Sequence, residues 1–291
     1  MSGSRKLLFS FSLLVTTLIC VFLVLPIGMA IFAALTTSYV EGVRGGFTLQ
    51  WITEVWRDYK GTIGASVFLA LGCLMCTFVI GVPAAYLLAR SKSYWARLAE
   101  ELLVLPLAVP GIAIALSLIV TYGGFTAFRQ GWGIILVGHI IYTLPFMVRS
   151  VLAIMSSIDL RTLEEEAASL GAGFLRRFFT VILPNCRGGI VAGALMVLTL
   201  SIGEFNITLL LHTADTNTLP IGLNDVYATS RLEVSSAYTS LFFVIIIPLL
   251  MSVLFATRSR KRKAHRLQES TLASASAKPV VVAKRAEEAR A

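Results

Sequence analysis

The sequence contains few charged residues. Asp, Glu, Lys and Arg make up 14% of its 291 residues, whereas soluble domains contain about 25%. Hydrophobic residues account for 56% of the chain, and the mean hydropathy is +0.81. Such a composition excludes an ordinary soluble domain and indicates a chain that is built into a membrane.

The sequence also lacks the motifs of common catalytic and metal sites. It contains no Gly-x-x-x-x-Gly-Lys-[Ser/Thr] phosphate loop, no His-Glu-x-x-His and no Gly-x-Ser-x-Gly. Cys73-x-x-Cys76 has the spacing of metal ligands, but no second cysteine pair or histidine cluster accompanies it. We therefore expect these thiols to be packed side chains. We expect neither an enzyme activity nor a cofactor in this chain.

Long hydrophobic runs, by contrast, are abundant. A helix crosses the hydrocarbon core with about 20 apolar residues. The sequence predicts membrane spans at 8–35, 63–88, 102–122, 133–155, 190–211 and 237–256. Because a backbone in lipid must satisfy its hydrogen bonds internally, each span is expected to be a helix. Prolines in the third, fourth and sixth spans predict kinks. The predicted fold is an all-α membrane protein with six transmembrane helices.

The basic residues predict the orientation, since cytoplasmic loops carry the excess of Lys and Arg. One set of loops contains Arg5, Lys6, Arg90, Lys92, Arg97, Arg161, Arg176, Arg177 and Arg187, followed by a basic run at 258–266. The other set contains Arg44, Arg57, Lys60, Arg129 and Arg231. Both termini are therefore expected to be cytoplasmic. The formal net charge of +9 is expected to face anionic lipid, with no nucleic-acid partner.

A polar segment between the fourth and fifth spans, which we call the elbow (residues 162–184), carries the most specific pattern. Thr162-x-x-Glu165 is a capping box, which predicts that a helix begins there. The apolar positions of this helix share one face: Leu163, Ala167 and Leu170. The pattern is typical of a docking site, but a linker that covers the base of the bundle would also have it.

The elbow is expected to turn at Gly171. Glycine adopts a positive φ without steric cost, and a helix often ends at such a residue. A second short helix is expected to follow, with Phe174, Phe178 and Val181 on one side. Pro184 is expected to end that helix before the chain re-enters the membrane.

The elbow resembles the signature loop of the permease subunits of type I bacterial ATP-binding-cassette (ABC) importers. That signature has a Glu-Ala-Ala triplet, a glycine a few residues later and then Ile-x-Leu-Pro. The directly matching residues are Gly171, Ala172, Ile182, Leu183 and Pro184. The resemblance extends over about residues 62 to 256. Its segments Ser201-Ile202-Gly203-Glu204-Phe205 and Thr218-Leu219-Pro220 are most similar to permeases for polyamines, 2-aminoethylphosphonate and ferric ions.

The family glutamate has two possible positions. An alignment on Gly171 without gaps places it at Glu165, so that Glu166 stands where the family has its first alanine. The alternative places the triplet at 166–168, one residue closer to the glycine, and makes Glu166 the family glutamate. The capping pattern favours Glu165.

The resemblance implies a coupling helix on which a cytoplasmic ATPase docks. The docking residues would be Thr162, Glu165, Glu166, Ala167, Leu170, Gly171 and Ala172. The implied partners are a dimer of ATP-binding subunits that hold ATP and Mg²⁺, a second permease, and an external solute-binding protein. We expect the second permease to be similar to this chain but not identical. The implied location is the bacterial inner membrane.

The resemblance also suggests a division of the chain into three parts. Residues 1–61 would form an N-terminal transmembrane helix and a periplasmic loop. Residues 62–256 would form the permease core of five helices. Residues 257–291 would form a basic, disordered cytoplasmic tail, because they show no apolar period.

Glu204 lies within the fifth predicted span, where a carboxylate is costly unless it faces a cavity or a partner. It is either bonded to another helix or lines the solute pathway, where it would attract a cationic solute. Asn206 is a second pathway candidate, about 200° away on an ideal helix. His139 in the fourth span is more typical of a packed, hydrogen-bonded residue than of a ligand.

The expected function is therefore that of a permease that moves a small polyamine-like or aminophosphonate-like solute by alternating access. An ion-coupled secondary transporter or channel subunit is the alternative. It would require an inverted repeat and several intramembrane charges, and neither is seen in the sequence.

Overall fold

The computed structural model describes residues 3–91, 93–229, 231–252 and 255. Its helices, in chain order, are α1 (Gly3–Leu35), α2 (Gln50–Arg90), α3 (Tyr94–Ala108), α4 (Gly111–Tyr122), α5 (Thr126–Gln130), α6 (Trp132–Met155), α7 (Leu160–Ser169), α8 (Phe174–Arg177), α9 (Leu183–Ile202), α10 (Asn206–Leu211), α11 (Leu219–Thr229) and α12 (Leu232–Ser252). A π-helical turn, Phe178–Ile182, joins α8 to α9. The all-α prediction is confirmed.

Five helices of the described chain are long and apolar enough to cross a membrane, and the bent pair α3–α4 is a sixth candidate. The five are α1, α2, α6, α12 and the continuous helix Phe174–Ile202. Helix α2 is longer than predicted, because it begins at Gln50 and not at residue 63. Residues 253, 254 and 256 of the last predicted span lie outside the described residues, as does the predicted tail 257–291.

The third predicted span, 102–122, is not a single kinked helix. Helices α3 and α4 are bent by 103° at the break between them. The break lies at Pro110, because proline disfavours helical geometry at the residue before it. Pro110 has an extended ψ of 137°, and its carbonyl accepts the N–H groups of Ala113 and Ile114. Pro106, in contrast, is accommodated inside α3.

The prediction that Pro184 ends the second elbow helix is wrong. The helix continues from α8 through the π-helical turn into α9, and Pro184 is the second residue of α9. Proline lacks an N–H group and its ring clashes with the carbonyl four residues earlier. The wider π turn before it bonds the N–H of Leu183 to the carbonyl of Phe178, five residues back.

The predicted fifth span, 190–211, is also interrupted. Helix α9 ends at Ile202, the residues Gly203, Glu204 and Phe205 are not helical, and α10 begins at Asn206. Glu204 therefore lies in a break between two helices, not at the middle of one span. The angle of about 200° between Glu204 and Asn206 does not apply, since no helix joins them.

The described residues cluster into two compact units. Unit 1 includes Met1–Thr77, Glu101–Pro145 and Val197–Pro248, and unit 2 includes Phe78–Glu100 and Phe146–Met196. In unit 2, α6 and α9 lie close together at two glycines of α9. A Cβ atom at Gly189 would lie 2.7 Å from the carbonyl oxygen of Ser150, and one at Gly193 would lie 2.8 Å from Sδ of Met147.

The core of unit 1 contains the short helix α10. Its buried cluster combines residues of α2, α4, α6 and α10: Leu69, Ile114, Ala115, Leu118, Ile134, Ile135, Ile207 and Leu211. Helix α10 lies very close to α6 at Gly138, where a Cβ atom would lie 2.6 Å from Cγ2 of Ile207. A glycine at this position of α6 is therefore required for the observed position of α10.

We predict that Gly138→Ala destabilises the folded chain by about 1–3 kcal/mol, since it overpacks a filled core. The apparent midpoint of thermal unfolding in detergent measures the effect. Gly64→Ala is the matched control, because Gly64 also lies in a helix of unit 1 and a Cβ atom there would meet nothing within 4 Å. Equal midpoints for the two variants would contradict the close approach of α10 to α6.

Candidate functional site

The first elbow helix begins earlier than predicted. Asp159 is the N-cap of α7, since its carboxylate accepts the N–H of Thr162 at 3.2 Å and the Thr162 hydroxyl at 2.7 Å. These two bonds hold the pKa of the Asp159 carboxyl below its ordinary value. The predicted capping box of Thr162 and Glu165 is therefore wrong, because Thr162 already lies inside the first turn. Aspartate is among the strongest N-cap residues, so Asp159 is the residue from which the true start of α7 could be predicted.

Helix α7 turns a different face inward than predicted. Leu163 and Ala167 are half-buried, as expected, but Leu170 is 88% exposed at the C-cap. The fully buried residues of α7 are Leu160 and Glu164, which are one turn apart. A helix that begins at 160 thus turns Leu160, Leu163, Glu164 and Ala167 inward.

The three consecutive glutamates have different surroundings. Glu165 and Glu166 are exposed, and Glu165 pairs with Arg161 at 2.8 Å, which raises the pKa of the Arg161 guanidinium. Glu164 is buried, and its carboxylate accepts the Tyr86 hydroxyl at 2.6 Å. Nη1 of Arg90 lies 3.5 Å from the other oxygen of that carboxylate. The sequence alone does not distinguish Glu164 from Glu165 and Glu166. In a helix that begins at Thr162, all three glutamates lie in the first turn, and none is expected to be buried.

The expected turn at Gly171 is confirmed, with a φ of +79°. The N–H of Gly171 donates to the carbonyl of Ala168 at 2.9 Å, and the N–H of Ala172 donates to the carbonyl of Ala167 at 3.1 Å. These two bonds form a Schellman motif, which satisfies the last carbonyls of α7. The chain then passes through Gly173 into α8.

The second elbow helix packs aromatic rings around the end of α2. The rings of Phe174 and Phe178 are stacked with their centroids 6.3 Å apart, and both lie on one side of the helix, as predicted. The Tyr86 ring lies 6.1 Å from Phe174 and 5.5 Å from Phe178. The elbow is thus fixed to α2 by both apolar and polar contacts.

A cavity of about 770 Å³ opens beside this cluster in unit 2. Its charged lining residues are Arg90, Asp159, Arg161, Glu164, Glu165 and Arg177. Both signs of charge are present, so polar side chains of another protein can find partners there.

The second predicted site surrounds Glu204 in unit 1. Its carboxylate accepts the N–H of Ile207 at 2.9 and 3.0 Å, the N–H of Thr208 at 3.0 Å and the Thr208 hydroxyl at 3.1 Å. These bonds satisfy the first N–H groups of α10, where a negative charge also suits the helix dipole. The carboxylate thus bonds to the first turn of the short helix that directly follows it.

His139 on α6 joins this cluster. Its Nδ1 lies 2.8 Å from the Ser201 hydroxyl and its Nε2 lies 2.9 Å from the Thr208 hydroxyl. Nε2 is also 3.8 Å from a Glu204 oxygen. The expectation that His139 is a packed, hydrogen-bonded residue is confirmed.

The two helix breaks in unit 1 lie beside each other. A Cβ atom at Gly111, the first residue of α4, would lie 3.1 Å from Cβ of Asn206 and 3.4 Å from Oε1 of Glu204. Asn206 and Gly203 are exposed, whereas Glu204 is turned inward. The structure thus places Glu204 and Asn206 near each other with opposite exposure.

Comparison with known proteins identifies the family. The family model described as "Binding-protein-dependent transport system inner membrane component" matches residues 78–266. The chain belongs to this family. It is therefore a permease subunit of an ABC importer and a multi-pass inner-membrane protein. Family membership decides against the alternative of an ion-coupled transporter or channel.

Relatives of this permease are named for different solutes. The molybdenum transport system permease protein ModB of Haemophilus influenzae is 29% identical over 69% of this chain and 94% of its own length. The sulfate transport system permease protein CysW of Synechocystis is 26% identical over 72% of this chain and 80% of its own length. The putrescine transport system permease protein PotI of Escherichia coli K12 is 25% identical over 77% of this chain and 82% of its own length.

Solved structures agree with the fold. The permease resembles a chain of the inward-facing methionine ABC transporter MetNI with a TM-score of 0.57 and 18% identity, over 71% of this chain and 97% of that one. It resembles a chain of a bacterial ABC transporter that imports alginate with a TM-score of 0.59 and 16% identity, over 89% and 96%. At these identities the likeness supports the fold alone.

We predict that Gly171→Val opens the elbow, because a β-branched residue at positive φ costs about 1–3 kcal/mol. Trypsin should then cleave the detergent-solubilised permease after Arg176 or Arg177 about ten times faster than it cleaves the wild type. Gly173→Val is the matched control, since Gly173 has a φ of −66° and an extended ψ that valine adopts readily. Equal cleavage of both variants would contradict a strained Gly171.

Proposed function

We propose that this permease is one of two membrane subunits of an importer driven by separate ATP-binding subunits, and that it moves its solute by alternating access. The observation that carries the proposal is the elbow, a short helix with outward carboxylates that is closed by the left-handed turn at Gly171. The other proposed partners are a similar but non-identical second permease and an external solute-binding protein. ATP and Mg²⁺ would be held by the ATP-binding dimer. Both termini would be cytoplasmic.

The exposure of the elbow supports a docking role. Of the proposed docking residues, Thr162, Glu165, Glu166, Leu170 and Gly171 are exposed, and Ala167 and Ala172 are half-buried. Three large apolar side chains of the elbow are exposed, Leu170, Phe174 and Leu175, and a group of such side chains is typical of a surface that a partner covers. We propose Glu165 as the family glutamate, as the alignment on Gly171 favours.

For the solute we propose a small polyamine-like or aminophosphonate-like molecule. The charge of Glu204 supports this choice, since a buried carboxylate attracts a cationic group and repels an anion. At an effective dielectric constant of about 20, a unit charge about 8 Å away contributes about 2 kcal/mol. The exposed neighbours Gly203 and Asn206 make the surface next to Glu204 accessible.

A second candidate is an oxyanion, which the molybdenum and sulfate permeases among the relatives favour. Uptake of radiolabelled putrescine, 2-aminoethylphosphonate, molybdate and sulfate into proteoliposomes that hold the whole complex distinguishes the two. ATP-dependent uptake of putrescine or the aminophosphonate supports the first proposal. Uptake of molybdate or sulfate alone would replace it by the second.

We predict that Glu165→Lys lowers both the co-purified ATPase and the uptake rate about ten-fold. The exposed pair of Glu165 with Arg161 contributes little to folding, because solvent screens it, so a large loss reports docking and not unfolding. Arg161→Gln is the matched control, because it removes the same ion pair and keeps the carboxylate. Wild-type co-purification of Glu165→Lys would remove Glu165 from the docking surface.

We predict that Glu204→Gln lowers putrescine uptake about ten-fold, because it keeps the shape of the side chain and removes its charge. Thr208→Val is the matched control, since it removes a hydroxyl donor to Glu204 and leaves the charge in place. A lower thermal midpoint with lost expression would assign Glu204 to the cap of α10 alone. Normal uptake and normal stability would exclude both roles.

A further inference from the structure

Glu164 has contacts that neither the family pattern nor the proposed docking role explains. It precedes the proposed family glutamate by one residue, and its side chain is 8% exposed. Glu165 and Glu166, on the same helix, face solvent. A buried carboxylate is costly unless it is hydrogen-bonded or paired. The residues that bond to Glu164 therefore show which parts of the fold it connects.

Glu164 joins three helical elements of unit 2. Its carboxylate receives the Tyr86 hydroxyl at 2.6 Å, and Arg90, the last residue of α2, lies 3.5 Å away. Nη1 of Arg90 also donates to the Tyr86 hydroxyl at 3.0 Å, which closes a triangle of polar groups. The backbone carbonyl of Glu164 accepts Nη1 of Arg177, on α8, at 3.4 Å.

The surroundings of Tyr86 make this connection stiff. Its ring is 3% exposed and is held by edge and tilted contacts with Phe178 and Phe174. A hydrogen bond of 2.6 Å to a carboxylate is a strong, charge-assisted one. A displacement of α7 must therefore either move the end of α2 with it or break this bond.

We propose that Glu164 is a positioning residue that transmits the movement of the elbow to the second span through Tyr86 and Arg90. The inference rests on the proposed function, because it assumes that an ATPase moves the elbow. Glu165 and Glu166 face outward towards the partner, while Glu164 faces inward and fixes α7 to α2. Tyr86 and Arg90 lie in the last two turns of α2, so a movement of the elbow reaches the end of that span.

The test compares Glu164→Gln, Tyr86→Phe and the double variant in the full complex in proteoliposomes. The probe is the solute that the wild-type complex takes up among putrescine, 2-aminoethylphosphonate, molybdate and sulfate. Three quantities are measured for each variant: the co-purified ATPase, the thermal midpoint and the solute molecules taken up per ATP hydrolysed. Glu101→Gln and Tyr94→Phe are the matched controls, because both residues are exposed.

We expect each single variant to lower the uptake per ATP about five-fold or more, because each weakens the charge-assisted hydrogen bond between Tyr86 and Glu164. The co-purified ATPase should stay near the wild-type value, since both substitutions keep the shape of the side chain. The thermal midpoint should fall only by the few degrees that the weakening of one buried hydrogen bond costs. The double variant should be no worse than the poorer single one, because both act on the same contact: Glu164→Gln removes its charge and Tyr86→Phe removes its hydroxyl donor.

Three results would overturn the inference. Wild-type uptake per ATP in both single variants would show that the contact carries no movement. Loss of the ATPase from Glu164→Gln would place Glu164 on the docking surface. A lower thermal midpoint of Tyr86→Phe with unchanged uptake per ATP would make the contact merely structural. Absence of ATP-driven uptake in the wild-type complex would instead count against the proposed function, and the inference would fall with it.

Discussion

The hydrogen-bonding demand of a backbone in lipid is the constraint on which the rest of this structure depends. Each unsatisfied N–H or C=O group in hydrocarbon costs several kcal/mol, so a transmembrane helix can be interrupted only where other groups replace its lost bonds. The break after α9 meets this demand with Glu204, whose carboxylate accepts the N–H groups of Ile207 and Thr208. Without such an acceptor, α10 could not begin inside the core of unit 1.

In the elbow, backbone groups at the helix ends are satisfied by residues that lie close to them in sequence. Asp159 caps the start of α7, and the turn at Gly171 satisfies its end. At Pro184 no side chain is needed, since a π turn lets the N–H of Leu183 bond to the carbonyl of Phe178. Each irregularity of the backbone thus has a local acceptor or donor that permits it.

The sequence therefore predicts well what depends on local chemistry and poorly what depends on tertiary partners. The apolar runs predict the helices, and Gly171 predicts its own left-handed turn. The sequence does not predict the break at Gly203–Phe205, because an apolar run continues through it. The side chain that makes this break possible is Glu204, which the sequence indicated only as a charge inside the membrane. The burial of Glu164 could not be predicted, because it depends on Tyr86, which is distant in sequence. The start of α7 differs from the prediction for another reason. Thr162 matches a capping box, but Asp159, an equally good cap three residues earlier, begins the helix.

The two glutamates that matter most also show why position along a sequence is a weak guide to a carboxylate's role. Glu204 lies in an apolar run and Glu164 in a charged one, yet both are buried and both hold a helix in place. What distinguishes them is the location of the partner. Glu204 bonds to backbone N–H groups only three and four residues away, so both ends of its contacts belong to α10 and the turn before it. Glu164 bonds to a tyrosine on another helix, and a contact between two separate helices can transmit a displacement from one to the other.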